Sequence, residues 1–256
     1  MKILVALKQV PVRDSSLHID SRQKWIDEED LSFEVNEPDA YALEAALLLK
    51  DKHGGEVIVV CAGPDRAAPS IREALAKGAD RAIHIACDDL RELDTLSLAH
   101  RLAAAISAER PDLVLTGLQS DDLGLGQTGV VIAEILGIPH ATIIMEVETR
   151  DGHVRVKREL EDGWFQWVTM PLPALLTIQS GISKLRYATL MGIKKAKTKE
   201  IRRIEAGDLG APRRSSVSLD RVYLPPKKKA AHLITGSPTE AAARLTEILK
   251  HEVRVI

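Results

Sequence analysis

Gly117-Leu-Gln-Ser-Asp-Asp-Leu-Gly-Leu-Gly-Gln-Thr-Gly129 is the stretch of this chain whose residue types and spacing point most directly to chemistry. Glycine lets a backbone approach another group closely or turn through conformations closed to other residues. Between the glycines stand the polar groups Gln119, Ser120, Asp121, Asp122, Gln127 and Thr128. Asp112–Thr116 ahead of the loop has the apolar pattern of a short buried strand. Behind it, Thr128–Gly137 is apolar along one side and ends at glycine, so a strand feeds a helix through this loop. Amides at a helix N-terminus, backed by the positive end of the dipole, attract phosphate. The loop is not a standard dinucleotide fingerprint, and it is not a Walker loop, because no Gly-Lys-Ser/Thr follows the glycines. Alone it fits two readings: a phosphate cradle, or a strand-to-helix turn whose glycines serve backbone geometry only. The polar groups beside the glycines argue against a merely geometric turn.

Other reactive groups are sparse. Cys61 and Cys87 are the only cysteines, and neither a Cys-x-x-Cys pair nor a zinc-spaced histidine cluster accompanies them, so no disulfide framework, iron-sulfur or metal site is expected. Cys87 reads as a small core residue. Cys61 ends the run Glu56–Cys61, at the strand end where ligand crevices open, and is placed to touch a ligand without reacting. His84, His140 and His153 fall in or beside strands, and nothing supplies a nucleophile with a base and an orienting group. The chain is expected to have no catalytic residues of its own.

The elements that must position the loop form a β-α alternation. Strands are expected at Lys2–Val10, Glu56–Cys61, Arg81–Ala86 and Asp112–Thr116, with helices opening at Asn36-Glu-Pro-Asp39, near Ala67 and at Thr95. Asn36 suits a helix cap, Pro38 the first turn, and the acidic residues the dipole. Ala42, Ala45, Ala46 and Leu49 recur as one buried face until Gly54-Gly55. Leu17–Asp20 and Trp25 suggest a short hairpin or flap. After Pro139 the pattern changes to two strands, Thr142–Glu148 and His153–Leu160, about an Asp151-Gly152 tip, then a third strand-like run, Trp164–Ile178, carrying Pro171 and Pro173, which confine that part to an edge or bend. The fold class expected is α/β: a doubly wound, mostly parallel sheet with a β-hairpin extension and a long basic C-terminal arm ending in a helix.

The chain has 256 residues and only 3% aromatics, so its core is aliphatic, as parallel sheets covered on both faces require. No run of about 18 apolar residues occurs, and Met1–Lys8 reads as a strand rather than a signal peptide; a soluble, cytoplasmic protein is expected. Net charge is −2, yet Lys184–Lys229 carries fourteen Lys and Arg against four Asp and Glu, leaving an acidic body with a basic extension. Two regions are therefore expected, residues 1–183 and 184–256. The extension attracts an anionic cofactor or acidic protein; with only Tyr187 and Tyr223 as stacking platforms it is not expected to bind nucleic acid. Ser237-Pro-Thr-Glu240 opens a final helix with a capping box, whose Ala241, Leu245, Ile248 and Leu249 stripe can pack on its own sheet or on a partner.

Val156-Lys-Arg-Glu-Leu-Glu-Asp-Gly-Trp-Phe-Gln-Trp-Val168, followed by Pro173-Ala-Leu-Leu-Thr177, resembles the signature of the electron transfer flavoprotein β subunit family. Asn36–Glu44, Gly78–Arg81 and Arg186-Tyr-Ala-Thr-Leu190 match that family as well, and the resemblance runs from Lys2 to about Thr198. It implies a heterodimer with an α subunit that holds most of an FAD, while this chain binds AMP structurally. The AMP contacts it implies are Ala6, Asn36, Glu37, Pro38, Asp39, Cys61 and the loop of Gly117, Leu118, Gln119, Ser120, Asp121, Asp122, Leu123, Gly124, Leu125, Gly126, Gln127 and Thr128. It implies that Leu190 inserts into electron-donating flavin dehydrogenases, such as acyl-CoA dehydrogenases, with delivery onward to a quinone reductase. The chain departs from the family where Leu123-Gly-Leu-Gly126 replaces a longer acidic run, which shifts nucleotide binding onto backbone amides with Gln127 and Thr128. Val12 stands where relatives often have Asp, and the adjacent Arg13 is a candidate flavin neighbour. In bifurcating relatives the same site holds FAD and Val tends to follow the Gln; Thr128 follows it here, so AMP is expected. The rival outside the family is a stand-alone adenine-nucleotide sensor.

Overall fold

Lys2-Ile-Leu-Val-Ala-Leu7 forms strand β1, buried at five of its six positions as a strand covered on both faces must be. The computed structural model describes every residue except 89, 211–214, 227–230, 232 and 256. The chain divides into two units, Met1–Arg221 and Val222–Ile256. In the first, β1 is followed by β2 (Gln9–Pro11), β3 (Phe33–Val35), α1 (Glu37–His53), β4 (Glu56–Gly63), α2 (Ala68–Lys77), β5 (Arg81–Ala86), α3 (Thr95–Glu109), β6 (Leu113–Gly117) and α4 (Thr128–Leu136). Then come β7 (His140–Arg150), β8 (His153–Glu159), β9 (Phe165–Pro171), β10 (Ala174–Ile178), α5 (Leu190–Ala196) and β11 (Ile201–Glu205).

Nine strands make one sheet in the order β11-β5-β4-β1-β6-β10-β7-β8-β9. Those from β11 to β7 run parallel, and β8 and β9 add an antiparallel hairpin edge. Alternation along β1 sends Ile3, Val5 and Leu7 to the face covered by α1 and α2, and Leu4 and Ala6 to the face covered by α3 and α4. Fully buried Leu4, Leu47, Ile58, Leu75, Ile83 and Ile106 each contribute about 1.5–3 kcal/mol, so aliphatic burial dominates the stability of both layers. The chain winds outward from β1 through β4 to β5, then returns to place β6 on the other side of β1. That reversal opens a crevice at the carboxyl ends of β1 and β6.

The doubly wound sheet and hairpin edge match the expected fold class, with local differences. The expected strand Lys2–Val10 breaks at Lys8: β2 leaves the sheet and pairs with β3 as a separate two-stranded ribbon. The flap expected at Leu17–Trp25 closes as a tight antiparallel bridge, Ile19 with Ile26. In the run Trp164–Ile178 the prolines separate two strands of different kind. β9 is the sheet's edge, but β10 is buried throughout between β6 and β7, because its aliphatic residues return to the centre. The segment after residue 184, expected as an extended arm, carries α5 against α2 and adds β11 beside β5, from Ile201 opposite Ala82 to Glu205 opposite Ala86. Arg213, Arg214 and Lys227 to Lys229, counted in the basic stretch, lie outside the described residues.

In the second unit, α6 (Pro238–Glu247) starts with the expected capping box: Ser237 Oγ accepts from the Glu240 amide, and the Glu240 carboxylate accepts from the Ser237 amide at 2.8 Å. It continues into a wider turn over Ile248–Val253.

Candidate functional site

At the β1–β6 reversal, the N-terminus of α1 and the Gly117–Thr128 loop face each other and are tied by backbone-directed bonds. Asp39 lies at the base, buried, its carboxylate accepting from the Lys8 amide (2.7 Å) and the Gly117 amide (2.9 Å). One side chain thus joins the carboxyl ends of β1 and β6. Burial pushes the Asp39 carboxyl up to about 7, against the two amide bonds that favour its charge. Gly117 is required by this contact: a Cβ there would stand 2.5 Å from Asp39 Oδ1 and 2.7 Å from Pro38 Cβ.

Asn36 precedes α1 but does not cap it with its side chain, as the sequence led us to expect. Its carboxamide is turned to the loop instead, donating to Gln119 O (3.0 Å) and accepting from the Asp121 amide (2.9 Å). The two ends of an amide satisfy a donor and an acceptor on the same loop, which a cap bond would not do. The Glu37 amide donates to Asp121 Oδ2 at 3.3 Å. Lys8, which sequence reasoning passed over, reaches Asp122 at 2.6 Å and Ser120 Oγ at 3.3 Å. Burial raises the Asp122 carboxyl, and Lys8 with the loop's hydrogen bonds more than offsets this, leaving it below its ordinary value. The signal for Lys8 was its place as the first polar residue beyond an apolar strand.

The far side of the loop is open. Gly124 and Gly126 take φ of 62° and 63°, where other residues are strained, and nothing lies within 4 Å of a Cβ placed on Gly124. Helical bonding in α4 begins with the Val131 amide to Gln127 O (3.0 Å), so the Thr128, Gly129 and Val130 amides have no carbonyl within the helix to receive them. Gln127 and Thr128 side chains have no hydrogen-bond partner among the described residues, and Leu123 and Leu125 are exposed. Gly129 has a packing role: a Cβ would meet Thr116 Oγ1 at 2.6 Å and Thr177 Cγ2 at 2.7 Å. The glycines therefore serve geometry, while the amides and the two polar side chains at the head of α4 remain available for an anion.

Ala6 sits one residue before the end of β1, beside Val60. Cys61 is not the end of its strand, since β4 continues to Gly63; its thiol is buried in the core, and burial, with the charge of Asp39, pushes it up to about 12. Such a thiol is inert. His84 is buried and bonded to the Gly63 carbonyl at 2.9 Å, a structural role, and His153 Nδ1 lies 3.0 Å from the Asp151 carbonyl. Arg13 is exposed and 3.7 Å from Glu37.

Leu190 belongs to a different surface. It opens α5 and is 88% exposed beside Tyr187 at 89% and the exposed Met191 and Ile193, among Lys184, Lys194, Lys195 and Lys197. A third feature lies on the hairpin edge. Trp164, Phe165 and Trp167 are exposed there, with Arg155 over Trp167 and Lys157 over Phe165. Nearby, Arg158 donates from Nη2 to Thr142 Oγ1 (3.3 Å), but among the described residues its buried Nε meets no acceptor and Ser183 Oγ no partner. Among the described residues no His, Cys, Asp or Glu cluster has metal-site geometry, and no helix is long and apolar enough to cross a membrane.

Residues 23–209 match the model of the electron transfer flavoprotein domain. The chain is 38% identical to the electron transfer flavoprotein subunit beta of Methylophilus methylotrophus, across 97% of this chain and 98% of that one. It is 34% identical to the subunit of the same name from Bacillus subtilis (strain 168), across the whole of both chains, and 34% identical to a mitochondrial one from Oryza sativa subsp. japonica, again end to end. Similarity at this level over the full length spans the crevice, the hairpin edge and the α5 segment alike, and this chain belongs to the electron transfer flavoprotein family, in its β-subunit line.

Proposed function

We propose that the chain is the β half of a two-chain electron carrier, holding AMP in the β1–β6 crevice and closing over an FAD bound mainly by an α subunit. The observation that carries the nucleotide reading is the loop's polarity. Its inward groups are consumed by Asp39, Asn36 and Lys8, while the first-turn amides of α4, Gln127 and Thr128 are left for a phosphate. Flavin supplies the redox chemistry when bound; the chain's own part is to orient, enclose and dock. The hairpin-edge aromatics and the unmatched Arg158 Nε support an α-chain contact, in which a partner acceptor would complete the guanidinium. The α6 stripe, with Leu245 exposed, serves the same partner. Leu190 on its basic rim docks the flavin dehydrogenases, acyl-CoA dehydrogenases among them, whose electrons pass on to a quinone reductase.

Co-expression with an α subunit, followed by denaturation and quantification of released cofactors, tests this. One FAD and one AMP per pair are expected. Two flavins would overturn the AMP assignment in favour of FAD in the β1–β6 crevice. A chain that ignores the α subunit and stays a folded monomer with nucleotide would make it the stand-alone sensor.

A further inference from the structure

The docking segment is expected from sequence to be part of a long basic arm, yet its mounting is a set of directional polar bonds. Arg186 donates from Nε to both oxygens of Glu44 (3.0 and 2.9 Å), from its backbone amide to Glu44 Oε2 (3.1 Å), and from Nη2 to Asp51 (2.9 Å). Glu44 is 4% exposed on α1, and a carboxylate that buried is tolerated only with such a partner. At the far end of α5, Arg72 donates to the carbonyls of Ala196 (2.6 Å) and Lys199 (3.0 Å), while Lys199 reaches back to the carbonyls of Leu75 (3.0 Å) and Ala79. Between these clamps Gly192 allows α5 to touch α2: a Cβ there would stand 2.3 Å from Ala76 O. Ala196 is buried in the same contact, and Thr189 Oγ1 caps the helix by accepting from the Gly192 amide (3.0 Å). The inward side of residues 186–199 is thus committed to α1 and α2, and the outward side presents Tyr187, Leu190, Met191 and Ile193 among exposed lysines.

We propose that Arg186, through Glu44 and Asp51, is a positioning residue for partner docking, fixing Tyr187 and Leu190 as a preformed anchor rather than a flexible probe. The inference rests on the reading of Leu190 as the dehydrogenase contact. A preformed anchor loses little conformational entropy on association, so the clamp acts on affinity and leaves flavin chemistry alone. The Arg186 guanidinium is spent on Glu44 and Asp51 of α1 and not on the exposed apolar face.

The test uses the αβ complex as electron acceptor for an acyl-CoA dehydrogenase supplied with its acyl-CoA. Leu190→Ala should raise the KM for the complex by roughly tenfold with kcat nearly unchanged. Arg186→Gln should raise KM by a similar factor, and Arg186→Lys should recover part of it, since charge returns without the planar fork. Because Arg186 acts through Leu190, adding Arg186→Gln to Leu190→Ala should raise KM little further, whereas a general folding defect would multiply the two effects. Flavin content and chemical reduction of the flavin by dithionite should stay at wild-type level. Should Arg186→Gln fail to assemble, Asp51→Ala removes only the outer bond of the clamp and should raise KM by roughly two- to threefold. A wild-type KM in Arg186→Gln, or in Asp51→Ala and Arg186→Lys together, overturns the positioning role. An unchanged KM in Leu190→Ala instead overturns the docking reading beneath it.

Discussion

The nucleotide crevice and the docking segment are held in place by opposite means. In the crevice, side chains turn inward onto backbone: Asp39 takes two amides, Asn36 bridges a carbonyl and an amide, and glycines allow the close approach. What is left for a ligand is main chain, with the side chains of Gln127 and Thr128 beside it. At α5 the long side chains of Arg186, Arg72 and Lys199 do the anchoring, and what is left outward is apolar side chain. The surface proposed for a small anion is made mainly of amides held by buried polar groups. The surface proposed for a protein is made of side chains on a bolted frame. The two should therefore fail differently.

The largest effect is expected where the crevice has no slack. Gly117→Ala puts a methyl group against Asp39 and Pro38 backbone and side chain, with no flexible end to give way. A loss of about 3 kcal/mol and of nucleotide is expected, measured by urea unfolding and by the AMP retained on purification. Asp39→Ala comes next: it orphans the buried amides of Lys8 and Gly117, a cost on the order of 2 kcal/mol. Asp39 also has a pH signature. Its carboxyl is raised in the folded chain from 3.8 to about 7, so the folded state holds more protons between those values, and stability from this group falls as pH rises across that window. Relative to Asp39→Asn, which cannot titrate, the wild type should lose stability from about pH 4 to 7 and level off above, while a flat difference would remove burial as the dominant influence on this carboxyl.

These sites were not equally legible in the sequence. Gly117 and Gly129 stood out as glycines, and the loop's place between a strand and a helix followed from apolar periodicity, because local pattern is what periodicity encodes. The diversion of Asn36 from cap to crevice was not legible, since it depends on Gln119 and Asp121 arriving from more than eighty residues away. Lys8 was missed for the same reason. The central place of β10 was hidden by Pro171 and Pro173, which correctly mark the end of an edge strand but say nothing about where the next strand goes. The segment after residue 184 read as an arm because its charges looked like solvated surface. Several of those charges, Arg186 and Lys199 above all, are spent on contacts with α1 and α2, which composition cannot distinguish from exposure.

The docking surface should break without unfolding. Leu190 is exposed, so Leu190→Ala is expected to change stability by less than about 0.5 kcal/mol while weakening dehydrogenase docking by roughly tenfold. A parallel drop in the unfolding midpoint would mean that Leu190 serves α5 itself and would erase the contrast with Gly117→Ala.

The smallest effect sharpens the crevice side. Thr128 opens α4 and its hydroxyl has no hydrogen-bond partner among the described residues, so it is open to a bound phosphate, whereas its backbone amide serves whether or not the hydroxyl is present. Thr128→Val keeps the shape and the amide and removes only the hydroxyl. If the hydroxyl takes part, AMP should bind several-fold more weakly, about 1 kcal/mol, with urea unfolding of the nucleotide-free complex unchanged. Wild-type AMP retention in this variant would assign the phosphate to the loop amides alone. The division between the two surfaces would then be complete: main chain for the nucleotide, side chains for the protein partner.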